Sequence, residues 1–249
     1  MENQPLISII TVVYNGVKTL EQTIQSVINQ TYKNIEYIII DGGSVDGTVD
    51  IIKKHEDQIA LWISEPDKGL YDAMNKGISK AKGLLVGMIN SDDWYEDNAV
   101  ELIADAFQKH PDKQIFHGNR YDVLKNGTKS IRKFDSSELK FIYHGMVYNH
   151  PSMFVHKDIY EVNRYNVKLK SLSDYQLVLK IYLENKNLFL YINKCYVNYR
   201  LDGISSQLSL KEKLHEGFVS RKKAGLILSK NIISLIFRFL ITIFYRIFK

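Results

Sequence analysis

Asn90-Ser91-Asp92-Asp93-Trp94 places two neighbouring carboxylates directly after an apolar run. Like charges at the end of a buried strand are costly unless something compensates them. A hard divalent cation does so: Mg²⁺ or Mn²⁺ takes one or two carboxylates and completes its shell with substrate phosphates. The plainer alternative for the same residues is a solvated acidic turn, with Asp92 capping a helix. A second cluster, Asp41-Gly42-Gly43-Ser44-Val45-Asp46-Gly47-Thr48, puts an acid where it can bond a ribose hydroxyl or a base edge. Its glycines allow positive φ and close backbone approach. The same string also reads as a turn followed by a capped helix. It has neither the Gly-x-Gly-x-x-Gly order of a nicotinamide dehydrogenase nor a Walker A order.

The elements that must hold these clusters are legible from periodicity. Leu6–Val13 is nearly continuous and rich in β-branched residues, as in a strand covered on both faces. Thr19–Gln30 has apolar residues at helical spacing. Strands follow at Ile35–Ile40, Ile59–Ile63 and Leu84–Ile89, separated by helices at Thr48–His55 and Leu70–Ala81. Such alternation implies a mostly parallel, Rossmann-like α/β sheet with helices on both faces. In such sheets ligands bind beyond the carboxyl ends of the strands. The residues at those ends are Tyr14 and Asn15, then Asp41 to Asp46, then Glu65 to Lys68, then Asn90 to Asp93.

From Gln114 the pattern changes. Gln114–Asn119 and Tyr121–Phe134 read as strands around an Asn126-Gly127 turn, and Ser173–Glu184 as a helix. Ser173 and Gln176 have the spacing of a capping box, which puts Asp174 in the first turn. There the plainer role of Asp174 is to complement the helix dipole. The chain therefore divides into an α/β half at 1–113, a mixed α+β half at 114–208 and a tail at 209–249.

Four strings occurring in order resemble glycosyltransferase family 2: ISIITVVYNG, IIDGGSVDGT, SEPDKGLYDAMNKG and NSDDWY. The similarity is close over residues 6 to about 110 and looser to about 206. It implies the GT-A fold, with an acceptor region in the second half, and transfer of a sugar from a nucleotide diphosphate, UDP by family frequency. It also implies residue roles. Val12 and Tyr14 would border the base, with Tyr14 stacking on it. Asp41 would hold the base–ribose unit, and Asp67 and Lys68 would line the nucleotide side. Asp92 would touch the ribose and Asp93 the Mn²⁺ or Mg²⁺ that bridges the diphosphate. An inverting member also needs a general base, and Asp174 matches the family's catalytic aspartate. His150 and Arg200 are further candidates, for acceptor and phosphate respectively; each also reads as structural. Val12 stands where the family commonly has proline. The Gln-x-x-Arg-Trp string of processive synthases is absent, which favours one sugar per encounter.

Charge separates the tail from the rest. Residues 211–249 carry nine Lys or Arg and two Glu, leaving 24 basic and 26 acidic residues before them. A nucleic-acid protein would carry its charge on the folded face, so no nucleic-acid partner is predicted. In Leu226–Lys249 the polar residues Asn231, Ser234, Arg238, Thr242, Tyr245, Arg246 and Lys249 recur at helical spacing, making one narrow stripe on a greasy amphipathic helix. A span would bury Arg238 at a cost of about 2.5–3.5 kcal/mol. A helix lying in the interface, with Arg238 and Lys249 toward headgroups, avoids that cost. A core-packing or dimer-forming helix is the alternative. The expected protein is peripheral on the cytoplasmic face of the cell membrane, acting on a glycan or lipid-linked acceptor in cell-surface polysaccharide or lipopolysaccharide synthesis. The opening Met-Glu-Asn-Gln-Pro does not read as a signal peptide. The single cysteine, Cys195, reads as a plain buried thiol in a reducing compartment. Two rival readings remain at this point: a sugar nucleotidyltransferase, which lacks its Gly-rich basic loop here, and a non-catalytic membrane scaffold.

Overall fold

The structure, a computed structural model, describes residues 4–201 and 209–247, the last seven of these as backbone alone. A nine-stranded sheet runs through it in the order β3-β2-β1-β4-β8-β6-β9-β5, with β7 paired to β6. The parallel part is β1 (Ile7–Val13), β2 (Ile35–Asp41), β3 (Leu61–Ser64) and β4 (Leu85–Asn90). Every residue of β1 is buried, because strands flank it on both sides and helices cover both faces. Its alternate residues enter two different cores. Ile7, Ile9 and Val13 pack with α1 (Leu20–Ile28) and α4 (Ala99–Lys109), whereas Ile10 and Val12 pack with α3 (Leu70–Lys80). The helix α2 (Thr48–Lys54) completes the first layer.

Past β4 the short β5 (Trp94–Tyr95) replaces any helix at the acidic turn, so Asp92 caps none. The sheet does not break at 113/114. β6 (Ile115–Val123) and β8 (Phe154–His156) pair with one another, and β8 pairs antiparallel to β4. The Asn126-Gly127 turn expected within Tyr121–Phe134 forms: it joins the end of β6 to β7 (Lys129–Arg132), and Gly127 has φ 81°. Thr128 N–H donates to Asn126 Oδ1 at 3.0 Å, which is how the Asn-Gly pair makes this turn. β9 (Phe189–Arg200) runs parallel to β6 and ends beside β5. Between β8 and β9 lie α5 (Lys157–Val162) and α6 (Ser173–Asn185).

The capping box expected at α6 does not form. Ser173 Oγ accepts from Asn166 N–H at 2.5 Å and Gln176 Oε1 accepts from Asn166 Nδ2 at 2.9 Å. Leu172 precedes the helix and its side chain offers no cap.

The tail folds back as α7 (Leu210–Lys223) and α8 (Leu228–Ile247). α8 turns its polar stripe inward. Asn231 and Ser234 are wholly buried. Asn231 accepts from Arg221 Nε at 3.0 Å, and Ser234 donates to the Tyr143 carbonyl at 2.5 Å. Arg238 lies over Gly217, where an added Cβ would come within 3.0 Å of its Nη1. Arg238 is therefore directed into the protein and not toward headgroups, because the polar stripe finds its hydrogen-bond partners on α7 and the π-helical turn Lys140–His144. Ile232, Ile233, Ile236, Phe237, Phe239 and Leu240 face outward. No helix among the described residues is long and apolar enough to cross a membrane.

Candidate active site

Four short loops at the carboxyl edge of the parallel strands build one side of the site. They are stitched together by their own polar groups. Asn15 adopts φ 52° and joins the first loop to the second: its N–H donates to Ser44 Oγ at 2.7 Å and its Oδ1 accepts from Val45 N–H at 3.1 Å. Gly16 N–H donates to Thr48 Oγ1 at 2.9 Å, and Val17 N–H to Asp46 Oδ2 at 3.1 Å. Gly42 and Asp67 bring the second and third loops close: a Cβ on Gly42 would lie 2.5 Å from the Asp67 carboxylate, which would have to shift. Hydrogen bonds of this kind contribute about 0.5–1.5 kcal/mol each, enough together to hold loops that carry little apolar surface.

Asp41 takes a different place from the one expected of a nucleotide contact. It is fully buried and outside the lining of the cleft described below. Its carboxylate accepts from Gly43 N–H, Ser44 N–H, Ser44 Oγ and, at 2.6 Å, Ser64 Oγ. It thereby shapes the loop that carries Ser44. Lys68 is exposed at the start of α3, also outside the lining.

The acidic turn separates its two aspartates. Asp92 reaches the cleft. Asp93 is 0% exposed behind it: Arg200 N–H donates to Asp93 Oδ1 at 3.0 Å, and the Asp93 carbonyl accepts from Thr23 Oγ1 at 2.7 Å. Its Oδ2 is buried with no partner. Burial, and then the charge of Asp92, push the Asp93 carboxyl well above the usual range. Asp93 thus ties the end of β9 to the acidic turn, while Asp92 lines the cleft. Arg200 is used in the same joint. Its guanidinium lies 4.6 Å from the Trp94 ring centre and donates to Gln22 Oε1 and the Asp92 carbonyl, so the structure does not direct it into the cleft. The stretch 199–206 resembles the family's C-terminal flexible loop, and from 202 it lies outside the described residues.

The cleft measures about 670 Å³, within the range of small-molecule sites. Val12, Tyr14, Asn15, Asp67, Asn90, Ser91 and Asp92 line it from the parallel half. Tyr14 is 66% exposed, an aromatic face open to a planar ligand. Tyr71, Arg120, Arg132, Tyr148, His150, Lys170, Asp174 and Tyr199 are among the residues that line its other side. Tyr71, Arg120, Arg132, Tyr148, Lys170 and Tyr199 were not signalled by spacing alone. Only register reveals the arginines: Arg120 on β6 stands opposite Arg132 on β7. The Arg120 guanidinium also stacks over Tyr199, at 3.7 Å from the ring centre.

Asp174 sits in the first turn of α6, as expected, and within the cleft. Its Oδ1 accepts from Tyr175 N–H at 2.7 Å and Tyr71 Oη at 3.3 Å. Burial raises its pKa above the ordinary carboxylate value, against the opposing pull of His150. His150 shares a 2.8 Å hydrogen bond with Tyr165 Oη, and the Tyr165 ring stacks on Tyr71 with centres 5.5 Å apart. Asn75 on α3 fixes Tyr165 by bonding both its N–H and its carbonyl. Burial holds His150 below its usual pKa. The result is an ionisable carboxyl more basic than a free one, held by the Tyr71 hydroxyl with an imidazole near enough to act on its charge. That is the arrangement a general base for a hydroxyl requires. Cys195 is half-buried and burial pushes its thiol up, the opposite of an activated nucleophile.

The donor set suits a hard cation that the protein holds only in part. No group of three His, Cys, Asp or Glu among the described residues converges on one point. Asp92, with Asn90 and Asp67 in the same lining, supplies oxygen ligands of the kind Mg²⁺ and Mn²⁺ take together with phosphates.

Known proteins agree with this geometry. Residues 8–163 match the family Glycosyl transferase family 2. A hyaluronan synthase of Pasteurella multocida is 28% identical over 219 residues, covering 85% of this chain and 22% of that protein. This chain therefore spans under a quarter of that relative's length. Staphylococcus aureus TarS 1–349, solved with UDP-GlcNAc, superposes with a TM-score of 0.73 at 17% identity, over 94% of this chain and 71% of that one. The mannosyltransferase PcManGT of Pyrobaculum calidifontis, solved with GDP-Man and Mn²⁺, gives 0.58 at 15% identity, over 87% and 62%. The family match covers well over half of the 249 residues. The chain belongs to glycosyl transferase family 2 and has the GT-A fold.

Proposed function

We propose that this chain is an inverting, non-processive, metal-dependent transferase that moves a sugar from a nucleotide diphosphate, UDP in the first instance, to a hydroxyl of a lipid-linked glycan. The observation that carries this reading is that Tyr14, Asp92 and Asp174 line one cleft, although 160 positions separate the first from the last. Tyr14 stacks on the base and Val12 borders it. Asp67 lines the nucleotide side. Asp92, and not Asp93, would hold a divalent cation. Bound there, Mg²⁺ or Mn²⁺ would supply positive charge to offset that of the departing nucleotide diphosphate. Asp174 accepts the acceptor hydroxyl's proton while that oxygen bonds to the anomeric carbon and the bond from this carbon to the diphosphate oxygen breaks. Attack from the face opposite the leaving group inverts the anomeric centre. Tyr71 and His150 orient Asp174. UDP-GlcNAc in TarS and GDP-Man with Mn²⁺ in PcManGT support a nucleotide-sugar donor and a cation.

The tail supports the lipid-linked acceptor. Among its described side chains, α8 turns Asn231 and Ser234 inward and leaves seven large apolar ones outward, Leu228 with the six named above. Each such side chain left in water forgoes about 1.5–3 kcal/mol, whereas each inward hydrogen bond returns about 1 kcal/mol. That balance favours the orientation only when an apolar phase covers the outer face. The basic residues Lys222, Lys223 and Lys230 border it and suit anionic headgroups. The enzyme accordingly works at the inner face of the cell membrane, in cell-surface polysaccharide synthesis.

Calorimetric titration of UDP and GDP, with and without Mn²⁺, tests the donor side. Mn²⁺-dependent binding of one nucleotide that Asp92→Ala abolishes and Asp93→Asn retains is the expected result. Retention in Asp92→Ala would remove Asp92 from the site. Binding without turnover across an acceptor panel would revive the scaffold reading.

A further inference from the structure

Asp174 stands on a helix that lacks a cap of its own. Leu172 precedes α6, and Ser173 and Gln176 are both engaged with Asn166. The amides leading into α6 are nonetheless satisfied, by a residue of the tail. Glu216 of α7 is 6% exposed and its carboxylate accepts three backbone N–H groups: Lys170 at 2.7 Å, Ser171 at 3.0 Å and Leu172 at 3.2 Å. Ser220, one helical turn on, donates to the Leu172 carbonyl at 3.0 Å. Lys170 and Ser171 line the cleft with Asp174. A carboxylate at the amino end of a helix is favoured by the exposed N–H groups and by the helix dipole. Charge-assisted hydrogen bonds are roughly twice as strong as neutral ones, so this single side chain dominates the local geometry.

We infer that Glu216 is a positioning residue for transfer: it caps α6 from the tail and thereby sets the direction of Asp174. The inference rests on Asp174 being the base proposed above. The tail then has two tasks. α8 meets the membrane with its outer face, and α7 beneath it holds the loop on which the base depends. Turnover requires the tail to be seated, whereas nucleotide binding at Tyr14 and Asp92 does not.

Glu216→Gln is the direct probe. It keeps the shape but removes the charge and turns an NH₂ group against donors that need an acceptor. In the full-length chain the expected result is unchanged Mn²⁺-dependent UDP affinity. Against that, kcat falls on the order of ten- to a hundredfold, as misplacement of a reacting group by about 1 Å does. The donor KM stays within about twofold, as for an interaction made in the transition state. The acid limb of the kcat–pH profile also shifts, which a simple loss of stability does not cause. Should Glu216→Gln not fold, Glu216→Asp carries the test, since it withdraws the charge by one methylene; it too should lower kcat at constant UDP affinity. Wild-type kcat in a folded Glu216 variant, alongside an inactive Asp174→Asn control, would overturn the inference. An active Asp174→Asn control would instead overturn the assignment of the base.

Discussion

The two parts of the cleft are built by opposite means. The nucleotide part consists of loops a few residues long, each directly after a parallel strand. They are closed by bonds among Asn15, Ser44, Asp46 and Thr48, all within 33 positions of one another. The part around Asp174 is assembled from afar. Tyr71 on α3, His150 before β8, Tyr165 before α6 and Glu216 on α7 all bear on the same helix start. The first part resembles a socket prebuilt by a rigid sheet. The second is a convergence of separate elements, and its geometry depends on the seating of each. Binding of donor and transfer of sugar should therefore respond to different substitutions.

The largest expected break is Asp174→Asn, which should lower kcat by about 10²–10⁴-fold, the range of a lost general base, in a transfer assay with saturating donor. The same variant should gain stability. A carboxyl whose folded pKa is raised stabilises the fold only at low pH, and that contribution is lost as pH rises through the folded value. At neutral pH the buried charge is thus a cost, and its removal should raise Tm by about 2–4 °C for each kcal/mol recovered. Activity and stability moving in opposite directions would mark a functional carboxylate.

The pH profile sharpens the same comparison. The proposed base must be ionised to act, so kcat should decline on acidification with a midpoint above the ordinary aspartate value of about 4. UDP affinity, which does not use Asp174, should hold through that midpoint. Parallel loss of both would mean the two parts are not independent.

Next in size is the exposed apolar face of α8, proposed above to meet a membrane. Ile233→Glu together with Phe237→Glu puts two charges on the outer surface of α8. Sedimentation with anionic lipid vesicles should fall by at least about tenfold, given 1.5–3 kcal/mol per buried side chain. Transfer to a short water-soluble acceptor should be unchanged. Unaltered vesicle binding would remove α8 as the anchor.

The smallest effect belongs to the nucleotide loops. Asn15→Ala deletes one side-chain bond and leaves an alanine at φ 52°, costing about 1–3 kcal/mol. Thermal melting should show a lower Tm and calorimetry a weaker UDP affinity, while kcat at saturating donor changes little. Asn15→Gly should recover part of the stability.

What could be read from the bare sequence follows the same division. Strand period and turn chemistry are local, so the residues after β1 to β4 were legible as a ligand edge, and Asp174 as a first-turn aspartate. Three features were not. Asp92 and Asp93 are adjacent, but consecutive side chains leave a turn in different directions, and only the pairing of β5 with β9 shows which one is sealed behind Arg200. Asp41 has the residue type of a ribose ligand, yet Gly43 and Ser44 in its own loop and Ser64 from β3 take its carboxylate. The polar stripe of α8 announces an amphipathic helix but not which face the protein keeps; Tyr143 and Arg221, distant or on another helix, decide that.

The central claim is that one cleft separates donor binding from proton abstraction, and one preparation can test it. UDP affinity in the presence of Mn²⁺ and sugar transfer should be measured on the same sample of Asp174→Asn. The account predicts wild-type affinity with transfer reduced by about 10²-fold or more. Transfer at the wild-type rate by a sample that binds UDP normally would contradict it.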